Sequence, residues 1–379
     1  MSLLLSRLSK LSPVSVRRSS LRLLLSNGFS SYLLQTPPCS ILGGYAFTPT
    51  HTKLIITTFT ESCNINSGKK VPNELVFPNL YDYRVITIGA SHGWVATLNK
   101  DDGILRLQDD LNPYASNTKP KRISLPPLVA LPLCQTNIVT NVAMSTSSPE
   151  DEDCVVAVKF LGPQLSFCRP SAADQSEWTN VRIENPCFFS SRVMFSKKDD
   201  MFRIPGSGGH LIASWDLRAK KTHKPKIHKL RFRNLPKLTK SKRELMDSCL
   251  TSVHLVESTT TGEIFLVKLY KKTASGTVRL ETKALMVFKL DDEGNAVYTQ
   301  DIGDLVMFLS KSEPFCVPAS SFPHLPYLDP NSVELCDVDE DAGIHLATSD
   351  IVKCTLYKQY SLPYSTSKTS CLSHACRLQ

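Results

Sequence analysis

From about Tyr45 onward the chain repeats one pattern, and that pattern limits the folds open to it. A run of roughly four to seven apolar, β-branched or aromatic residues ends at a turn signal, and the next run follows roughly 8–15 residues on. Lys53–Thr60, Val85–Ile88, Val95–Leu98, Ile104–Leu107, Cys154–Phe160 and Leu165–Cys168 are of this kind, as are Val253–Glu257, Glu263–Leu269 and Leu285–Leu290. The 24 prolines and 16 glycines separate them. No stretch of the body sustains a 3.6-residue period over ten positions, so helices are not the framework. The spacing predicts an all-β fold, either a β-propeller or a large β-sandwich. No fixed-period repeat is visible to choose between them.

Tyr298–Ser310 is the sharpest single stretch. It places an Asp301-Ile302-Gly303-Asp304 turn directly before the apolar run Leu305–Leu309, which suits a buried strand. A turn-rich segment with five prolines follows, from Pro314 to Asn331, so this region reads as the closing edge of a folded domain.

Charge is concentrated in two places. Residues 1–31 hold five basic residues and no acid, and residues 217–243 hold twelve and again no acid. Removing those charges from the net +9 leaves a body of −8. The first segment also has ten serines and many leucines, and the first acid of the chain is Glu61. That composition predicts an organellar transit peptide over 1–31, mitochondrial rather than chloroplast, cut between Asn27 and Tyr32 and read by an import machinery. On a helical wheel its cations fall within an arc of roughly 140°, divided by Pro13. No run approaches the roughly 18 apolar residues of a transmembrane helix.

Catalytic signatures are missing from the sequence. It has no G-x-S-x-G elbow, Walker A loop, G-x-G-x-x-G or H-E-x-x-H, and twelve cysteines without a C-x-x-C pair. Cys371, His374 and Cys376 are too isolated to be read as a metal site. His92 reads as a turn residue packed on Trp94, and Asp301 and Asp304 as caps on backbone amides. Gly206-Ser207-Gly208-Gly209 reads as a hairpin turn, because the strand-like Leu211–Leu217 follows it where a phosphate loop would start a helix. No catalytic residue, cofactor or metal ligand is assigned.

The order of several short motifs resembles a known family. Gly93-Trp94, Leu111-Asn112-Pro113, Ile123-Ser124-Leu125-Pro126-Pro127 and Trp178-Thr179 come first. His254-Leu255-Val256-Glu257-Ser258, Val287-Phe288-Lys289-Leu290, Asp301-Ile302-Gly303-Asp304 and Pro330-Asn331-Ser332 complete the series. Together they resemble the plant family called domain of unknown function 295, a KIB-type β-propeller, over about residues 45–335. The resemblance implies a propeller. In many relatives it also implies an F-box that docks on a Skp-type adaptor of a ubiquitin ligase. Where an F-box would sit, this chain has the acid-free segment instead, as in an organelle-targeted branch lacking the F-box.

The expected organisation is a transit peptide over 1–31, a propeller-like domain over 45–335 with a basic insertion at 217–243, and a C-terminal extension over 336–379. The expected function is that of a non-enzymatic scaffold for a protein partner. An RNA-associated role is the alternative, with Lys220, Lys221, Lys224, Lys226, Lys229, Arg231 and Arg233 on phosphates. A third reading is a degenerate F-box-type substrate receptor. The basic run has one aromatic, Phe232, too few for a base-stacking platform, and reads as an exposed flexible insertion.

Overall fold

The computed structural model describes residues 39–58, 69–73, 377–378 and 84–347, the last apart from 111, 113–114, 117, 132–137, 172–176, 218–223, 275, 277–278, 311, 322–328 and 337–340. The transit-peptide reading and Cys371, His374 and Cys376 fall outside the described residues.

Each predicted run from Val85 to Ser310 becomes part of a strand, and the strands group by chain order into blades. The first blade pairs Val85–Ser91, Trp94–Asn99, Ile104–Gln108 and Arg122–Pro127, from the axis outward. The second pairs Val139–Met144, Val156–Phe160, Gln164–Cys168 and Thr179–Arg182 in the same way. The third pairs Met194–Ser196, Met201–Pro205, Leu211–Trp215 and Lys226–Lys229. The fourth runs outward through Leu250–Glu257, Ile264–Thr273, Leu280–Leu290 and Asn295–Thr299, and adds Arg231–Arg233 in parallel on its outer edge. The fifth has Phe315–Pro318 inside, then Leu305–Ser310, Ser332–Cys336 and Asp341–His345. A further sheet of Cys39–Ala46, His51–Thr58, Lys69–Pro72 and Arg377–Leu378 meets the first blade where Lys69 Nζ donates to the Ala115 carbonyl at 2.6 Å. The fold is an all-β propeller, not a sandwich.

Local chemistry sets the hairpins. His92 and Gly93 sit at φ 50° and 78°, the left-handed pair of a two-residue turn whose twist matches its strands. Asp102 Oδ1 accepts from Ile104 N at 2.8 Å and Gly103 N donates to Asn99 O at 2.9 Å, closing the Asp101-Asp102-Gly103 turn. Gly206-Ser207-Gly208-Gly209 is the hairpin expected of it, with Gly209 N donating to Gly206 O at 2.7 Å.

Blade faces meet in apolar layers. Val156–Phe160 and Gln164–Cys168 are buried at every position because each lies between two neighbouring blades. One cluster joins the first and second blades through Leu105, Leu107, Val156 and Phe160. The next joins the second and third through Leu165, Phe167, Phe202 and Trp215. Leu266 and Phe288 centre the layer between third and fourth blades, and Val267, Met307 and Val333 the layer between fourth and fifth.

The structure departs from the sequence pattern at three places. Leu305–Leu309 is buried as expected, but its strand is second from the axis, because Phe315–Pro318 folds back inside it. Strand pairing also continues through Asp341–His345, beyond residue 335. The basic run, as far as it is described, is not a flexible insertion: it forms two edge strands and the helix Lys240–Asp247, capped by Thr239.

Candidate functional site

The axis is built by the first strand of each of the first four blades and by Phe315–Pro318 of the fifth. These strands diverge too far to share continuous backbone ladders, so polar side chains bridge them. Asn141 exchanges two hydrogen bonds with Val193, its Nδ2 donating to the carbonyl at 2.7 Å and its Oδ1 accepting from N–H at 2.9 Å. The side chain thereby imitates a strand neighbour between the second and third blades. Glu257 Oε1 accepts from Lys198 N at 3.0 Å between the third and fourth.

Glu313 holds the most bridges. Its Oε2 accepts from Ser91 Oγ at 2.6 Å, its Oε1 accepts from Phe195 N at 3.0 Å, and its own N–H donates to Ala90 O at 3.1 Å. Ser91 Oγ in turn accepts from Met144 N at 3.2 Å. One residue of the fifth blade therefore engages the first and third directly and the second through Ser91. Burial pushes the Glu313 carboxyl up to about 7, against the pull of its bond from Ser91 and of the Lys197 charge. His92 lies beside the same groups, and burial, reinforced by Lys197, lowers its imidazole to about 4. It is a turn residue as expected, but its surroundings are Lys197 and the Met144 backbone.

Towards the start of the same strands lies a cavity of 340 Å³. It draws residues from four blades: Thr140 from the second, Arg192 and Ser207 from the third, Ser252 and Lys271 from the fourth, Ser310 from the fifth. Arg192 donates a guanidinium N–H to the Ser310 carbonyl, which holds the side chain across the third and fifth blades.

The residues nominated for anion or RNA contact lie elsewhere. Lys220 and Lys221 are outside the described residues. Lys224, Lys226 and Lys229 are exposed on the outer edge of the third blade, and Arg231 and Arg233 on the outer edge of the fourth. The chain steps directly from one edge to the next, so the five cations form one rim over two blades. None makes a salt bridge with a described residue. Phe232 is turned inward, its ring 4.8 Å from Phe288 and capped by Lys268 Nζ at 4.2 Å, so it offers no stacking face.

Asp301 and Asp304 are caps, as their spacing suggested. Asp301 Oδ1 accepts from Gly303 N at 2.8 Å, and Asp304 accepts from Ser320 N and Oγ. Asn331, at φ 58°, fixes the same turn by accepting from Ile302 N at 2.9 Å and donating to Gln300 O at 3.0 Å.

A family model described as the KIB1-4 beta-propeller matches residues 64–355. The chain belongs to this family. The KIB1-4 match covers all five blades and part of the N-terminal sheet. No curated protein matches the chain. Among solved structures, a streptogramin B lyase is 9% identical over 70% of this chain and 83% of that one, with a TM-score of 0.32. Hsv2 of Kluyveromyces lactis is 11% identical over 68% and 83%, with a TM-score of 0.30. Virginiamycin B lyase from Staphylococcus aureus is 10% identical over 70% and 84%, with a TM-score of 0.31.

Sequence reasoning passed over Glu313, Asn141 and the cavity residues of this KIB1-4 propeller. Glu313 sits in the short segment Ser312-Glu313-Pro314 and Asn141 in a polar-interrupted run, so neither carries a local signal. The one available hint was an acid directly before a proline and an apolar pair, inside a chain whose blades must close.

Proposed function

We propose that this KIB1-4 propeller is a non-enzymatic interaction scaffold that offers its basic rim to an acidic protein surface. The observation that carries the reading is the continuous run of exposed Lys224, Lys226, Lys229, Arg231 and Arg233 along two adjacent blade edges, without salt-bridge partners among the described residues. Rigid edge strands hold these charges at fixed spacing, which favours recognition of a shaped acidic surface. RNA is the weaker reading because Phe232 is packed inward. The acid-free, arginine- and leucine-rich composition of residues 1–31 supports a mitochondrial address for the scaffold, with the chloroplast as the alternative. No helix among the described residues is long and apolar enough to cross a membrane. An organellar address would separate this reading from that of a ubiquitin-ligase substrate receptor.

Fluorescence anisotropy with a labelled acidic polypeptide and a single-stranded RNA of equal charge tests the partner class. The acidic polypeptide binds the wild-type protein, and Lys226→Glu/Lys229→Glu/Arg231→Glu/Arg233→Glu abolishes that binding. Tighter RNA binding, with a salt slope of about 0.7 per neutralised phosphate, transfers the rim to nucleic acid. A reporter carrying residues 1–45 that stays in the cytosol overturns the organellar reading, and co-purification with a Skp-type adaptor restores the ligase one.

A further inference from the structure

We infer that the axial cavity is a binding site for a small organic oxyanion, a phosphate monoester or carboxylate with a short carbon body. The site is separate from the basic rim and does not depend on the scaffold reading. Its 340 Å³ falls within the range of small-ligand sites and is too small for a folded partner or a polymer.

The lining is chemically one-sided. It contains Arg192 and Lys271 and no aspartate or glutamate. Several hydroxyls converge on the same space, Ser190, Ser252 and Ser310 among them, and Leu269, Leu309 and Leu335 form an apolar wall. A guanidinium, an ammonium and neutral hydroxyls form a donor set matched to an oxyanion. The leucines suit the carbon body attached to it.

Two details argue for a prepared site over a plain water-filled funnel. The Ser310 carbonyl fixes Arg192, so its planar fork is oriented before any ligand arrives. Thr140 Oγ1 is a buried atom on the cavity lining with no hydrogen-bond partner. A buried hydroxyl is seldom left in this state, and a ligand oxygen would satisfy it.

Isothermal titration of the full chain with inorganic phosphate, glycerol 3-phosphate, malate and glycerol tests the site. At least one of the two organic anions binds with saturation below about 10 mM, and neutral glycerol does not. The stronger of glycerol 3-phosphate and malate identifies the head group. Lys271→Met weakens that anion about tenfold or more, through loss of a charge-assisted contact, and Thr140→Val about fivefold. Arg192→Lys keeps a cation on Ser310 but loses the fork, and also weakens binding. Lys226→Met on the rim leaves the affinity unchanged, with thermal melts confirming that each variant is folded. The site is overturned if neither organic anion saturates. It is equally overturned if Lys271→Met and Thr140→Val bind as the wild type does, or if Lys226→Met removes the binding.

Discussion

Four of the five blade junctions and the one that closes the ring are held by different physics. The junctions between consecutive blades are layers of leucine, valine and phenylalanine. Phe202 is typical: it is 1% exposed, and its ring lies 5.3 Å from Phe167 of the preceding blade. Between the fifth blade and the first, the bonds of Glu313 to Ala90 and Ser91 do the joining. Apolar contact is non-directional and accumulates as neighbouring blades fold. The closing contact spans 222 residues and is made by directional hydrogen bonds, which admit one register. Burial therefore supplies most of the stability, and a buried polar clasp supplies the closure.

The largest effect expected is on an apolar junction. Phe202→Ala empties a fully packed layer and lowers stability by about 3–5 kcal/mol in denaturant unfolding, with no pH dependence of its own. A loss below about 1 kcal/mol would mean that the layers are loosely packed, and the contrast with the closing seam would fail.

The closing seam differs by being titratable. The Glu313 carboxyl rises from 4.5 to about 7, so between those values the folded protein keeps a proton that the unfolded chain has released. Its contribution is full below pH 4.5 and is lost as pH rises through 7, a change of roughly 3 kcal/mol. His92 falls from 6.5 to about 4, so the folded protein lacks a proton that the unfolded chain holds. That contribution is full above pH 6.5 and is lost as pH falls towards 4, and its size is reduced by partial exposure. The two slopes oppose each other between pH 4.5 and 6.5. His92→Asn suits the left-handed turn and leaves Glu313 uncompensated, so relative to wild type stability falls as pH rises from about 4 to 6.5. Glu313→Gln leaves His92 uncompensated and gives the reverse slope. Parallel pH profiles for both variants and the wild type would remove Glu313 and His92 from the account of the seam.

The same division explains what the sequence made legible. Val95–Leu98 and Leu165–Cys168 were readable as strands because a strand between two packed layers needs a local apolar run. The Asp301–Asp304 turn was readable because its caps act over two or three residues. Val139–Met144 was not, since Thr140 and Asn141 interrupt its apolar run, and Asn141 does so to bridge to Val193 of the next blade. Phe315–Pro318 was hidden between Pro314 and Pro318, and Lys226–Lys229 lacks alternation because all four residues are exposed. The cavity combines residues 140, 192, 271 and 310, which no window of sequence joins. Non-local polar bridging leaves no periodic trace.

Asn331 lies between these extremes, being polar and long-range but at the blade rim. Asn331→Ala removes the bonds to Ile302 N and Gln300 O and places an alanine at φ 58°. The loss expected is about 2 kcal/mol, seen as earlier hydrogen exchange at Ile302 and Gly303. If exchange instead quickened at Ala90 and Phe195, the turn and the axial seam would be one cooperative element.

The smallest effect is expected where the charge density is highest. Reversing Lys226, Lys229, Arg231 and Arg233 together changes four charges, yet stability should move by less than about 0.5 kcal/mol. The four side chains are exposed and make no salt bridge with described residues, so reversal alters chiefly their mutual like-charge repulsion and the 3.4 Å hydrogen bond from Arg233 Nε to Asn295 Oδ1. Reversal to four acids restores that repulsion with the opposite sign, so any residual change is small and shrinks as salt is raised. Glu313, one buried carboxyl group, outweighs all four in stability because water has been removed from around it. A salt-insensitive loss above about 1 kcal/mol on reversing the rim would instead mean that these edge strands carry structural load. The rim would then belong with the seams and could no longer be read as a surface kept free for a partner.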